Sequence, residues 1–177
     1  MIDLQPQLCG ERFRLRPLAH GDWDKLFGVA ADPLIWDQHP APGRCQALVF
    51  RRFFDDALAS GGALIVADAS DRIIGSSRFN FDPATPDQVE IGWTFLAREY
   101  WGCGANREIK RMMLRHAFQF VDTVFFRIGE ANFRSRKAME KIGGVLADRR
   151  ETIHLPGGEP AVHVVYEISK DQFCVDC

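Results

Sequence analysis

No apolar run in this chain approaches the length of a membrane span, and its first residues lack the charged-then-apolar build of a signal peptide. A surplus of one charge is missing too: 22 basic residues stand against 24 acidic ones, interspersed, for a net charge of −2. Without a basic stripe, neither nucleic acid nor a membrane surface is an expected partner. Cysteine is sparse, odd in number and scattered: Cys9, Cys45, Cys103, Cys174 and Cys177. That excludes a disulfide framework and predicts reduced thiols in the cytoplasm. The Cys174/Cys177 pair has no second pair to complete a metal site and reads as tail, so no metal is expected. Repeats, low-complexity tracts and interdomain linkers are also lacking, and 177 residues suit one domain, 1–177.

What the chain does have is concentrated between Val89 and Phe120. Val89, Ile91, Trp93 and Phe95 alternate with Glu90, Gly92, Thr94 and Leu96, the period of a strand. After a short turn comes Trp101-Gly102-Cys103-Gly104-Ala105-Asn106. Then Ile109, Met112, Met113, Ala117, Phe120 and Val121 recur at helical spacing, with Arg107, Glu108, Lys110, Arg111, Arg115 and Gln119 on the opposite face. Strand, glycine loop and helix in that order make an anion site, because the first N–H groups of a helix lack internal partners and carry partial positive charge. The expected ligand is a phosphorylated cofactor; a tight strand–helix connection without a ligand is the other reading. An ATP-type loop needs glycines five apart followed by Lys-Ser/Thr, which the chain lacks. A dinucleotide fingerprint needs a third glycine where Arg107 stands.

Around that loop the chain resembles the GNAT acetyltransferases, in the branch typified by the RimJ/RimL N-terminal acetyltransferases. The residues concerned are Glu90-Ile91-Gly92-Trp93, the loop at 101–106, Asn132-Phe133-Arg134-Ser135 and Lys141-Ile142-Gly143, within a likeness that spans about residues 12 to 169. Trp101 stands where Arg or Gln is usual, and Asn106 where Gly or Ala is usual. The resemblance implies that Trp101, Gly102, Cys103, Gly104, Ala105, Asn106 and Arg107 hold the pyrophosphate of acetyl-CoA. It implies that the backbone at Trp93 and Thr94 meets the thioester, that Asn132 and Ser135 contact the cofactor, and that Trp36 and His39 border the acceptor.

Along the chain, a first strand at about 12–17 precedes a helix capped by Asp22 and a second helix from about 44 to 60, whose buried side takes Leu48, Phe53, Ala57 and Leu58. Residues 63–67 and 73–79 read as a hairpin, 124–128 as a buried strand, and Asn132 as the cap of a helix ending at Gly143-Gly144. Two final strands flank Pro156-Gly157-Gly158. The fold class is therefore α/β: a mixed, mostly antiparallel twisted sheet of the GNAT type with helices on both faces.

Acetyl transfer to an amine needs a base, a donor to the thioester oxygen and a route out for the thiolate. Through the resemblance, Glu90 is the expected base. The tyrosine that many relatives use as acid is Met139 here, which holds no proton to give, so Ser135 is the nearest hydroxyl. His154 and His163 read as surface strand residues. The function implied is acetyl-CoA-dependent N-acetylation of a primary amine, on a protein N-terminus or a small molecule. A non-catalytic CoA-binding module and, more remotely, a nucleotide-binding domain are the alternatives. The amine and the oligomeric state, homodimer included, stay open.

Overall fold

The computed structural model describes residues 1–154 and 159–173. The turn at Pro156-Gly157-Gly158 and the Cys174/Cys177 pair lie outside the described residues. Eight strands form one sheet: β1 (Leu8–Cys9), β2 (Phe13–Pro17), β3 (Ala63–Asp68), β4 (Ile73–Asn80), β5 (Gln88–Leu96), β6 (Thr123–Gly129), β7 (Val145–His154) and β8 (Pro160–Ser169). Their order is β1-β2-β3-β4-β5-β6-β8-β7. All neighbours are antiparallel except β5 and β6.

Four helices cover the two faces: α1 (Trp23–Ala30), α2 (Ala47–Ala59), α3 (Ala105–Ala117) and α4 (Phe133–Glu140). On one face Ile109, Met113 and Leu114 of α3 are buried with Val66, Phe79 and Ile91 of the sheet. On the other, Leu26 of α1 and Phe50 and Phe54 of α2 are buried with Ile65, Ile73 and Phe95. Among the described residues no helix is long and apolar enough to cross a membrane.

Three local readings need correction. The buried stripe of α2 is Phe50, Phe54 and Ala57, and Leu48 is exposed, because the helix starts three residues later than expected and its phase is set by the phenylalanines. Asp22 makes no side-chain cap on α1. Its carboxylate instead accepts two bonds from the Arg16 guanidinium, at 2.7 and 2.8 Å, and so ties β2 to the start of α1. The two-residue β1 carries too few residues to show any period.

The fourth correction bears on the site. Between β4 and β5 the register runs Ser76↔Phe95 and then Arg78↔Gly92, so Ser77 faces two residues, Trp93 and Thr94. This bulge places Trp93 at φ +52, a left-handed backbone that a bulky residue seldom adopts. The alternation expected through Trp93 and Phe95 therefore slips by one. Thr94 joins Ile91 on the α3 face, where Lys110 bonds it. Trp93 turns to the α2 face, where the Arg78 guanidinium lies 4.6 Å from its ring centre.

Beside the bulge, Gly75 of β4 pairs with Leu96 and approaches the β5 backbone closely. A Cβ on Gly75 would lie 2.0 Å from the backbone oxygen of Phe95. Gly75→Ala should thus move backbone, not a side-chain tip, and lower stability by roughly 3 kcal/mol in equilibrium urea unfolding. An unchanged midpoint would show that the β4–β5 backbone yields freely.

Candidate active site

The parallel pairing of β5 with β6 lasts for three residue pairs, ending at Glu90↔Phe125. Beyond it the strands part, and a cavity of about 490 Å³ opens between them. Its walls are β5 from Ile91 to Leu96, β6 from Phe126 to Gly129, the first turns of α3, one side of α4, and parts of the segment between α1 and α2. Unpaired β5 backbone groups thus lie along the cavity, a row of donors and acceptors without a strand to meet them.

At one end stands the start of α3. Gly102 (φ +76) and Gly104 (φ +84) take the left-handed conformation that glycine adopts without strain. Gly104 is the N-cap and supplies no side-chain acceptor, so the first N–H groups of α3 are left for a ligand. Arg12 fixes the loop from behind, bonding the Cys103 carbonyl at 3.2 Å and the Glu108 carboxylate at 2.9 Å. Arg107 of α3, Lys137 of α4 and Lys141 just beyond it line the same end. The chemistry of this donor set fits a pyrophosphate: bare amides, a helix dipole and mobile cations, with no carboxylate among the lining residues.

Trp101 closes one side. Its indole N–H donates to the Leu96 carbonyl at 3.0 Å, and the Arg134 guanidinium lies 4.2 Å from its ring centre. Arg134 also bonds Asp37 and the Ile35 carbonyl, each at 2.8 Å, which ties α4 to the segment after α1. Asn132 caps α4 as expected, its Oδ1 accepting the Ser135 N–H at 3.1 Å. Ser135 and Met139 both line the cavity.

Of the residues expected at the site, all but Glu90 and Cys103 line this cavity. Cys103 is exposed, and its thiol bonds the Tyr100 carbonyl at 3.1 Å. Glu90 is only 3 % exposed rather than on a half-solvated face. Its Oε2 accepts from Arg127 at 2.6 Å and from Asn80 at 3.1 Å. Its Oε1 is turned toward Gly92, 3.5 Å from where a Cβ would stand. Burial raises the Glu90 carboxyl above its ordinary value, and the Arg127 charge only partly offsets this.

Trp36 is buried, with its N–H on the Ala30 carbonyl, and presents its ring to the cavity beside His39. His39 is held neutral, lowered to about 3 by burial and by the neighbouring Arg44 charge.

Two cavity residues stand where the sequence does not put them. Helical periodicity sends Lys110 to the solvated face of α3, yet it is 2 % exposed. Its ammonium bonds the Ser77 hydroxyl at 3.0 Å and the Thr94 hydroxyl at 2.5 Å, and among the described residues no carboxylate pairs with it. A charge in a strongly polar helix gives no sign that the sheet has provided two hydroxyls for it. His163 is likewise buried and lines the cavity, not the surface. Its Nδ1 lies 2.9 Å from the Ala161 carbonyl, which can only accept, so Nδ1 donates there.

A family model described as the acetyltransferase (GNAT) domain matches residues 12–145. The chain belongs to that family, and the splayed sheet and glycine cradle are those of a GNAT acetyltransferase. Among solved structures, a putative acetyltransferase from T. thermophilus is 27 % identical, with a TM-score of 0.75 over 94 % of this chain and 90 % of that one. Mycobacterium smegmatis RimJ, solved with CoA-disulfide, superposes with a TM-score of 0.76 at 15 % identity over 97 % and 91 %. Spermidine N-acetyltransferase from Vibrio cholerae, solved with CoA and spermine, does so with 0.68 at 16 % over 90 % and 96 %. The last two likenesses are of fold. No curated protein matches the chain significantly in sequence.

Lys110 makes a testable mark on stability. Burial lowers its ammonium from 10.5 to about 7. Between those values the folded protein holds fewer protons than the unfolded chain, so stability rises with pH across that window. The penalty is complete below pH 7 and fades toward 10.5. Lys110→Met should therefore be more stable than the wild type at pH 6, with the gap narrowing by roughly 2–3 kcal/mol by pH 9. Urea unfolding at the two pH values checks it. A gap independent of pH would mean that Lys110 keeps one protonation state throughout.

Proposed function

We propose that the chain transfers the acetyl group of acetyl-CoA to a primary amine, on a protein N-terminus or a small molecule, in the manner of the RimJ/RimL-like branch. The observation that carries this reading is one continuous cavity from the bare N–H groups of α3 to the unpaired edge of β5. The pyrophosphate lies on residues 102 to 107, with Arg107 beside it. The extended arm of the cofactor follows β5 and meets its free backbone groups, as an added strand would. The backbone N–H at Trp93 or Thr94, displaced by the bulge, is the donor for the thioester oxygen as it gains charge.

The amine enters from the side of Trp36 and His39. Its lone pair attacks the carbonyl carbon, the C–S bond breaks, and the nitrogen gives up one proton. Glu90 receives that proton through Oε1, across the gap that the missing side chain of Gly92 leaves. A carboxyl raised by burial suits this task better than an ordinary one, since its basicity is nearer to neutral pH. An α-amine near pKa 8 is already partly neutral there, whereas a lysine near 10.4 costs roughly 4–5 kcal/mol to deprotonate. The sulphur departs as thiolate. Met139 has no proton for it, so the Ser135 hydroxyl acts as hydrogen-bond donor. The same methionine favours the rival reading, a CoA-binding module without turnover.

Glu90→Gln should lower turnover by roughly 10²–10⁴ while calorimetric acetyl-CoA affinity holds. His163→Gln should change turnover by only a few-fold. The reverse ranking would transfer the role of base to His163. Acetyl-CoA binding with no amine acetylated by the wild type would favour the module.

A further inference from the structure

At the other end of the cavity, on the α2 face of the sheet, stands a buried cationic cluster that acetyl transfer as described does not use. Arg44 closes the short turn Pro42–Cys45 before α2, is 8 % exposed and lines the cavity. Its guanidinium lies 4.5 Å from the centre of the Phe53 ring and 5.6 Å from that of Trp36, and no carboxylate pairs with it among the described residues. Among the described residues its guanidinium makes one hydrogen-bond-length contact, with His39 Nε2 at 3.1 Å from Nη1.

That contact does not satisfy the arginine. The Ala41 N–H points at His39 Nδ1 from 2.9 Å, and a guanidinium can only donate. A neutral imidazole carries one N–H and one lone pair, so it accepts from Ala41 or from Arg44 but not from both. With Nδ1 accepting from Ala41, Nε2 bears the hydrogen and two donors face each other across the 3.1 Å.

Behind them Arg78 of β4 is 4 % exposed, and its Nε and Nη2 are buried without a hydrogen-bond partner among the described residues. Its nearest carboxylate, on the largely exposed Asp56, lies 3.7 Å from Nη1. Arg44 and Arg78 share the Phe53 ring, with the Arg78 guanidinium 5.7 Å from its centre, and each charge disfavours the other. Buried guanidinium groups without acceptors are expensive to hold. A bound anion would relieve that cost.

We propose that His39 and Arg44, backed by Arg78, form a carboxylate-binding subsite at the acceptor end of the cavity, so that the amine substrate carries an acid group near its amine. The proposal rests on the reading of this end as the acceptor side. A carboxylate presents two coplanar oxygens, which match the Arg44 fork or bridge from Nη1 to an Nε2–H on His39. Trp36, Phe53 and Trp93 wall the subsite and exclude water, which strengthens the pairing. A polyamine meets the opposite conditions. It would bring several positive charges to a wall with two buried arginines and no lining carboxylate.

The binding test needs no turnover. N-acetylglutamate and its uncharged diamide are titrated calorimetrically into the CoA-saturated protein, as wild type, Arg44→Met and Arg44→Lys. The wild type should bind the acid at least tenfold more tightly than the diamide. Arg44→Met should erase that ratio, and Arg44→Lys should retain part of it, which also answers any doubt about the fold of the first variant. Equal binding of acid and diamide, or a ratio that survives Arg44→Met, overturns the subsite.

A second arm measures CoA release with glutamine, isoglutamine, glutaminamide and spermidine. Preference for either acid over glutaminamide supports the proposal, and whichever acid is preferred identifies the carboxylate that is held. Transfer to glutaminamide or spermidine at an equal or higher rate overturns the subsite and leaves acetyl transfer standing. Acid-selective binding with no transfer to any amine does the opposite.

Discussion

The site depends on the point where β5 and β6 cease to pair. A parallel pair would ordinarily continue as long as both strands do, and here it stops after Glu90↔Phe125 although both strands run on. Two features hold that geometry. On the β4 side, the bulge at Trp93 and Thr94 bends β5 away, and next to it Gly75 lets the two backbones lie close at Phe95 and Leu96. On the β6 side, Arg127 joins Glu90 to Glu151 of β7, at 2.6 and 2.7 Å, just beyond the last paired residues. The ion pairs pin the apex while the bulge opens the arms. Glu90 is the buried partner of a half-buried arginine, so it has structural work here whatever it does in chemistry.

The cavity is therefore electrostatically one-sided. Glu90 and Glu151 spend their charges on Arg127 and neither carboxylate belongs to the lining, while Arg44, Arg107, Lys137 and Lys141 do. At the α3 end such a field suits a phosphorylated ligand. At the α2 end Arg44 and Arg78 are buried against the faces of Phe53 and Trp93. The two ends thus differ in kind: exposed cations for a ligand that stays partly solvated, buried ones with few acceptors for a group that is enclosed.

Most of the fold was legible because local signals agreed with tertiary demand. Asn132 capped α4, the glycine loop preceded α3, and the runs at 63–67 and 73–79 paired as β3 and β4. The failures at the site come from tertiary pairing that no local pattern contains, and the bulge in β5 is the clearest case. Once β5 slips by one at Trp93, Thr94 exchanges faces with it, and the face that Thr94 joins is the one Lys110 enters. A sequence pattern places Lys110 by its charge; the structure places it by the Ser77 and Thr94 hydroxyls, which come from strands that no helical periodicity includes. His163 was missed similarly. It sits opposite Gly129 of β6, and only that pairing brings it to the cavity.

The departures from ordinary construction lie on or against this cavity. Trp93 occupies a left-handed backbone, Lys110 is buried without a counter-ion, Arg44 faces a donor, and Arg78 leaves two nitrogens unmet. Each is unfavourable by on the order of 1–3 kcal/mol or more when unrelieved. Elsewhere the core is conventional, with Phe50 and Phe54 on one face and Ile109 and Leu114 on the other fully buried among apolar neighbours. Strain of this size tends to cluster at ligand sites, where the surrounding structure holds it in place. Gathered around one cleft, it marks groups kept for what they do to a ligand, because a bound anion or a developing charge is the partner that would relieve it. The unfavourable residues therefore locate the site independently of the glycine loop, and they extend it beyond the loop, across the sheet to Arg44 and Arg78.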